Sequence, residues 1–126
     1  MTRVLRALAC MSAGICVWVV SAASGQAAGA MAVGACAAYG YAFDYRNLDA
    51  ARAAAAGKCF GAGCKVVLML RHSCGAFAID GHHACGPHGY ASARRLGEAE
   101  NVALASCYKY GGKDCVIRAF ACDVKG

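Results

Sequence analysis

Leu48-Asp49-Ala50-Ala51-Arg52-Ala53-Ala54-Ala55-Ala56-Gly57-Lys58-Cys59 and Leu96-Gly97-Glu98-Ala99-Glu100-Asn101-Val102-Ala103-Leu104-Ala105-Ser106-Cys107 are two versions of one segment. In both, leucine, alanine, alanine and cysteine stand at relative positions 0, 3, 7 and 11. Residues three and four apart share a face of an α-helix, so each segment reads as a helix with one contact face. Alanine at the contact positions permits close approach to a sheet. Asn47 suits the N-cap and Asp49 complements the first-turn dipole, while Glu98 and Glu100 open the second helix. Gly57 and Gly61 to Gly63 weaken and end the first.

Working outward, each helix closes on a cysteine, crosses a glycine-bearing link and reaches a second cysteine that opens an apolar run. Cys59 to Cys64 leads into a strand over Lys65 to Arg71, and Cys107 to Cys115 into a strand over Cys115 to Cys122. Upstream of the first helix, Met31 to Ala38 reads as one strand and Tyr39 to Tyr45 as another. In the latter, Tyr39, Tyr41, Phe43 and Tyr45 alternate with small or polar residues, a period of two. Upstream of the second helix, Gly75 to Asp80 and Gly89 to Ala93 are strand-like, joined by a longer connection over His82 to His88 that holds the only proline, Pro87. Each half therefore runs strand, strand, helix, strand. The junction Arg71-His72-Ser73-Cys74-Gly75 is too short for a flexible linker, so the halves share a core. The expected fold is α+β: two pseudo-symmetric ββαβ repeats, 31–74 and 75–126, with helices packed on sheet.

The first thirty residues have the pattern of an export signal. Arg3 and Arg6 form a basic start, Ala7 to Val20 is apolar, and small residues follow with cleavage expected after Ala27 or Ala30. The apolar stretch falls short of the ~20 residues of a spanning helix, which weighs against an uncleaved anchor. Val33-Gly34-Ala35-Cys36 loosely matches a lipobox, but stands far from the apolar core. Removal of the signal takes Cys10 and Cys16 with it and lowers the net charge from +6 to +4. The remaining charges are scattered, without the basic stripe that nucleic acid requires. After signal removal no membrane association is expected, and the compartment is periplasmic or extracellular.

Eight cysteines in a small exported chain read as a disulfide framework. The repeated helix-end-to-strand arrangement pairs Cys59 with Cys64 and Cys107 with Cys115. Cys74 and Cys122 both follow the closing strand of their half, so pseudo-symmetry pairs them, and Cys36 with Cys85 completes the set. A four-cysteine zinc site competes poorly, because Cys107 and Cys115 are too far apart for a zinc knuckle.

These residues resemble the bacterial exported domain-of-unknown-function family DUF4189. The resemblance rests on Tyr39-Gly40-Tyr41, the helix closing at Cys59, Cys64-Lys65-Val66-Val67, Ser73-Cys74-Gly75-Ala76, Ala105-Ser106-Cys107 and Cys115-Val116-Ile117. It covers essentially the whole mature chain and implies a secreted or periplasmic protein, with no activity to carry over. Cys36, Cys85 and the histidine-rich insertion depart from the family pattern.

Two constellations invite a function. Tyr39, Tyr41, Phe43 and Tyr45 form either a stacking surface for sugar or peptide, or a row packed beneath a helix. His82, His83 and His88 offer three imidazoles for a divalent metal, with His72, Asp80 or an unpaired Cys85 as further donors. Otherwise no cofactor is implied. No nucleophile elbow, phosphate-cradling loop or paired carboxylates occur, so an enzyme is not the expected reading. The expected function is a small exported binding module, for an envelope polymer, an extracellular protein or an enzyme it inhibits. The alternative is a metal-binding or metal-dependent hydrolytic protein centred on the histidine loop.

Overall fold

The computed structural model describes residues 27–124, so the basic start and apolar core of the export signal lie outside the described residues. The order is β1 (Ala28–Val33), β2 (Tyr39–Tyr45), α1 (Leu48–Lys58), β3 (Lys65–Leu70), β4 (Ser73–Asp80), β5 (His88–Ala93), α2 (Leu96–Lys109) and β6 (Cys115–Asp123). These form two antiparallel three-stranded sheets, β2-β1-β3 and β5-β4-β6, with the first strand of each half at the centre. This is the α+β, ββαβ-plus-ββαβ architecture.

The alternation along the two central strands sets the layering. In β1, Ala28, Ala30 and Ala32 pack with Ala42, Ala51, Ala55 and Cys59 beneath α1. Met31 and Val33 point the other way, into a cluster with Leu68, Leu70, Phe77, Ile79, Ala119 and Ala121. In β4, Ala76 and Ala78 pack with Ala91, Ala99, Ala103 and Cys107 beneath α2. The result is four layers: helix, sheet, sheet, helix. Large apolar side chains fill the space between the sheets, and alanines let each helix sit close on an outer face. Both faces of the central strands are covered, so every residue of β1 is buried. Across the inter-sheet interface β2 contacts β6 and β3 contacts β5, the exchange a two-fold relation between the halves requires.

Gly40 and Gly89 show how tight the outer layers are. A β-carbon on Gly40 would come within 2.6 Å of Cys59 N and would also clash with Ala55 O. One on Gly89 would meet Cys107 N at 2.6 Å and clash with Ala103 O. Helix backbone lies directly on strand backbone at both points.

The limits of β1 and β4 depart from the sequence pattern in ways that matter for the disulfides, and β3, β5, α2 and β6 differ by one or two residues at an end. β1 begins at Ala28 rather than Met31 and stops at Val33. The chain then turns through Ala35 to Ala38, with Cys36 and Ala37 at φ 54° and 64°. Gly34 N donates to Ala38 O and Ala35 N to Ala62 O, which holds this turn and ends the strand. Cys74 belongs to β4, not to the close of the first half. It stands in register with Cys122 of β6, so the Cys74–Cys122 disulfide joins neighbouring strands of one sheet. Cys59–Cys64 and Cys107–Cys115 tie each helix end to the following strand. Cys36–Cys85 is the bridge between halves, from the turn after β1 to the loop after β4. Cys36 is thereby a disulfide cysteine rather than a lipid-bearing one.

Candidate functional site

The aromatic row divides. Tyr39, Tyr41 and Phe43 stack along β2, with ring centroids 6.2 Å apart in each neighbouring pair. Tyr39 and Tyr41 pack against the inter-sheet core, and the Arg118 guanidinium lies 5.1 Å from the Tyr39 ring centroid. Phe43, at the outer end of the row, is 53% exposed, while Tyr39 and Tyr41 are half-buried. Tyr45 leaves the row: Asp44 has φ 63° and the β1–β2 register shifts between Ala28 and Ala30. Tyr45 therefore packs on the α1 side, where Lys58 Nζ lies 5.9 Å from its ring centroid.

The histidines do not converge. His82 Nε2 meets Asp114 Oδ2 at 2.6 Å, an exposed pair of small energetic weight. His88 sits edge-on to Phe77, with its Nδ1 3.3 Å from Gly86 O. His72 stands elsewhere, beside Arg94 and Arg95. Among the described residues no group of three or more His, Cys, Asp or Glu is placed to hold a metal ion. Cys85 is bonded to Cys36, so it offers no thiolate.

Asp80, weighed above as a ligand, is a clasp instead. It is 3% exposed; Oδ1 accepts from His82 N at 2.9 Å and Oδ2 from Lys113 N at 3.1 Å. The Lys113 N–H first, and the His82 N–H second, hold its carboxyl below the ordinary aspartate value. The clasp joins the loop after β4 to the loop before β6, and Gly81 N donating to Asp114 O reinforces it.

Beside these fastened loops lies a groove of about 570 Å³ between β5 and the end of α2, lined by Gly86, Pro87, His88, Gly89, Tyr90, Ser106 and Tyr110. Cys36–Cys85 anchors one side of it and Cys107–Cys115 the other. Tyr90 and Tyr110 are 39% and 68% exposed, so both rings are available to a ligand. The groove offers two phenols, a hydroxyl and an imidazole, with no carboxylate, ammonium or guanidinium. Tyr90 follows Gly89 as Tyr41 follows Gly40, but nothing local in the sequence marks Tyr90 or Tyr110 as a site, and Ser106 is marked only as part of the Ala105-Ser106-Cys107 motif. A larger and more open hollow of about 630 Å³, near His72, Arg94, Arg95, Glu98 and Val124, is lined mainly by exposed charges of both signs.

A disulfide-stapled α/β/β/α sandwich with an uncharged aromatic groove at one edge is the class of protein these features define. The chain belongs to the family described as Domain of unknown function (DUF4189), whose profile matches residues 9–122. Comparison with curated proteins and with solved structures finds no match.

Proposed function

We propose that this chain is an exported binding module and that the groove beside Tyr90 and Tyr110 contacts a neutral, polyhydroxylated segment of an envelope polymer. The observation that carries the reading is the groove's lining: aromatic faces with hydroxyl and imidazole groups, and no charged side chain. Aromatic rings stack on the apolar faces of sugar rings, while a few polar groups fix orientation. The floor is preorganised, because Gly89 is pressed against the α2 backbone and disulfides hold both flanks. A rigid site spends less ordering entropy on binding. The four disulfides and the small-residue segment ending near Ala27 suit a working life outside the cytoplasm.

The test is NMR titration of the ¹⁵N-labelled protein with an N-acetylglucosamine tetrasaccharide, a neutral glycan. Binding should shift the amides of Gly89, Tyr90, Ser106 and Tyr110, and Tyr90→Ala with Tyr110→Ala should weaken it by about tenfold or more. Shifts confined to the Tyr39–Phe43 face, or none at millimolar glycan, would remove the groove from consideration.

A further inference from the structure

Among the described residues, Asp123 holds the buried side-chain polar atom that lacks a partner. It is 3% exposed at the end of β6, and its Oδ2 accepts from Asp44 N at 3.0 Å. Its Oδ1 is buried and has no hydrogen-bond partner among the described residues. A buried carboxylate oxygen left unpaired costs stability, and a charged hydrogen-bond donor placed against it offsets that cost. The small hollow beside it, about 170 Å³, is lined by Phe43, Asp44, Cys122, Asp123 and Val124, none of which is a cation.

The start of β1 runs past this carboxylate. Ala28 stands opposite Tyr45, the residue after Asp44. A β-carbon on Gly29 would come within 3.3 Å of Asp123 Cβ. Ala28 is also where one of the two small-residue cleavage sites would begin the mature chain. The other site, after Ala30, would discard residues the fold uses. Ala28 and Ala30 are fully buried and pair with Tyr45, Ala42 and Met69. Gly29 pairs with Leu70 and lies so close to Ala42 O that a β-carbon there would be 2.8 Å away. Losing these residues removes half of a central strand.

We propose that the processing site is the Ala27–Ala28 bond and that the α-ammonium released on Ala28 pairs with Asp123. A signal peptidase hydrolyses the bond with one water. The C–N bond breaks, the water oxygen becomes part of the Ala27 carboxylate, and the freed amine takes up a proton. Before cleavage, the Ala28 nitrogen is a neutral amide with one hydrogen. After cleavage it is a cation with three donors beside a buried carboxylate. Removal of the leader thus completes the polar end of the sandwich, linking processing to stability. The inference needs export but not the glycan groove, and its test does not use that groove.

The protein is expressed with its own leader in a secreting bacterium, and the intact mass of the product is measured. A chain starting at Ala28 supports the proposal; one starting at Met31, or an unprocessed chain, overturns it. The α-amine of the Ala28 chain is then titrated by NMR after reductive ¹³C-methylation. A pKa raised by about one unit or more above the usual 7.7–8.0 supports the pair; an ordinary value overturns it. Asp123→Asn should return the amine to its ordinary range. Should that variant fail to fold, a chain retaining Ala27 serves instead, since it carries the charge roughly 3.5 Å further along the backbone. Its thermal midpoint should fall by about 4 °C or more; an unchanged midpoint counts against the pair.

Discussion

Gly40 in the first half and Gly89 in the second meet matching atoms: the carbonyl of the alanine at relative position 7 of the helix pattern and the nitrogen of the helix-closing cysteine. The edges of the same strands have diverged. In β2 the positions flanking the glycine carry Tyr39 and Tyr41, which stack on each other; in β5 they carry His88 and Tyr90, which line an open groove. Asn47 caps α1 through Oδ1, whereas Arg95 at the start of α2 makes no side-chain cap bond. Asp80 clasps the loop after β4 to the loop before β6, while the matching place after β1 holds Gly34 in a backbone turn. Positions where backbone lies on backbone are held in common, and positions at the rim differ. The packed frame tolerates one solution, whereas the rim is free to acquire a ligand surface.

The sharpest way to break this comparison is to place a methyl group at the shared glycines. Gly40→Ala and Gly89→Ala should each destabilise the fold by about 3 kcal/mol or more, since the obstacle is helix backbone in both. Equilibrium unfolding in guanidinium reads this; a mild loss in one half would show that the two approaches are not equivalent. The disulfides come next. Replacing Cys74 and Cys122 together by alanine opens a bridge of sequence separation 48, worth about 4 kcal/mol in the chain-entropy model. Replacing Cys59 and Cys64 opens one of separation 5, worth about 2 kcal/mol. Equal losses would mean that native contacts, not denatured-chain entropy, set the contribution.

A third prediction concerns pH and the clasp found only in the second half. The Asp80 carboxyl titrates below its ordinary value in the folded chain, so the folded state favours the ionised form. The stability this contributes is complete above the unfolded value of about 3.9 and is lost as pH falls through the lower folded value. Denaturant midpoints measured from about pH 6 to about pH 2 should therefore separate wild type from Asp80→Asn at the upper end and converge at the lower. A constant separation would mean that the loops are held by shape alone. The smallest effect is at the helix starts. Asn47→Ala should cost about 1 kcal/mol, and Arg95→Asn should return a few tenths to about 1 kcal/mol by giving α2 a cap it lacks. If Arg95→Asn is neutral, the two helix entries differ in backbone as well as in side chain.

Much of the frame was legible because it is written in local periodicity. The 0, 3, 7, 11 pattern marks both helices, and the alternation in Tyr39 to Tyr45 marks a strand. The end of β1 is not legible because Gly34-Ala35-Cys36-Ala37-Ala38 continues the small, apolar composition of the strand through a turn. That turn is made by residues at positive φ and by a bond to Ala62, neither visible in composition. Tyr45 continues the alternation of the row in sequence, but the irregularity at Asp44 turns it to the other face. The three histidines are close in sequence, but Asp114 engages His82, while Gly86 and Phe77 engage His88.

By itself, the amino-acid sequence determined the element order, the helical contact faces and the even set of cysteines in residues 31–126, because each depends on spacing within a few turns of chain. Tertiary structure alone decided that the two sheets face each other, that Cys74 sits on β4 opposite Cys122, and that Tyr90 and Tyr110 share a groove. It also decided that Asp123 is buried beside the start of β1. Each of these brings together residues far apart in the chain. Such pairings follow from which apolar faces can be buried at once, a property of the whole fold rather than of any segment.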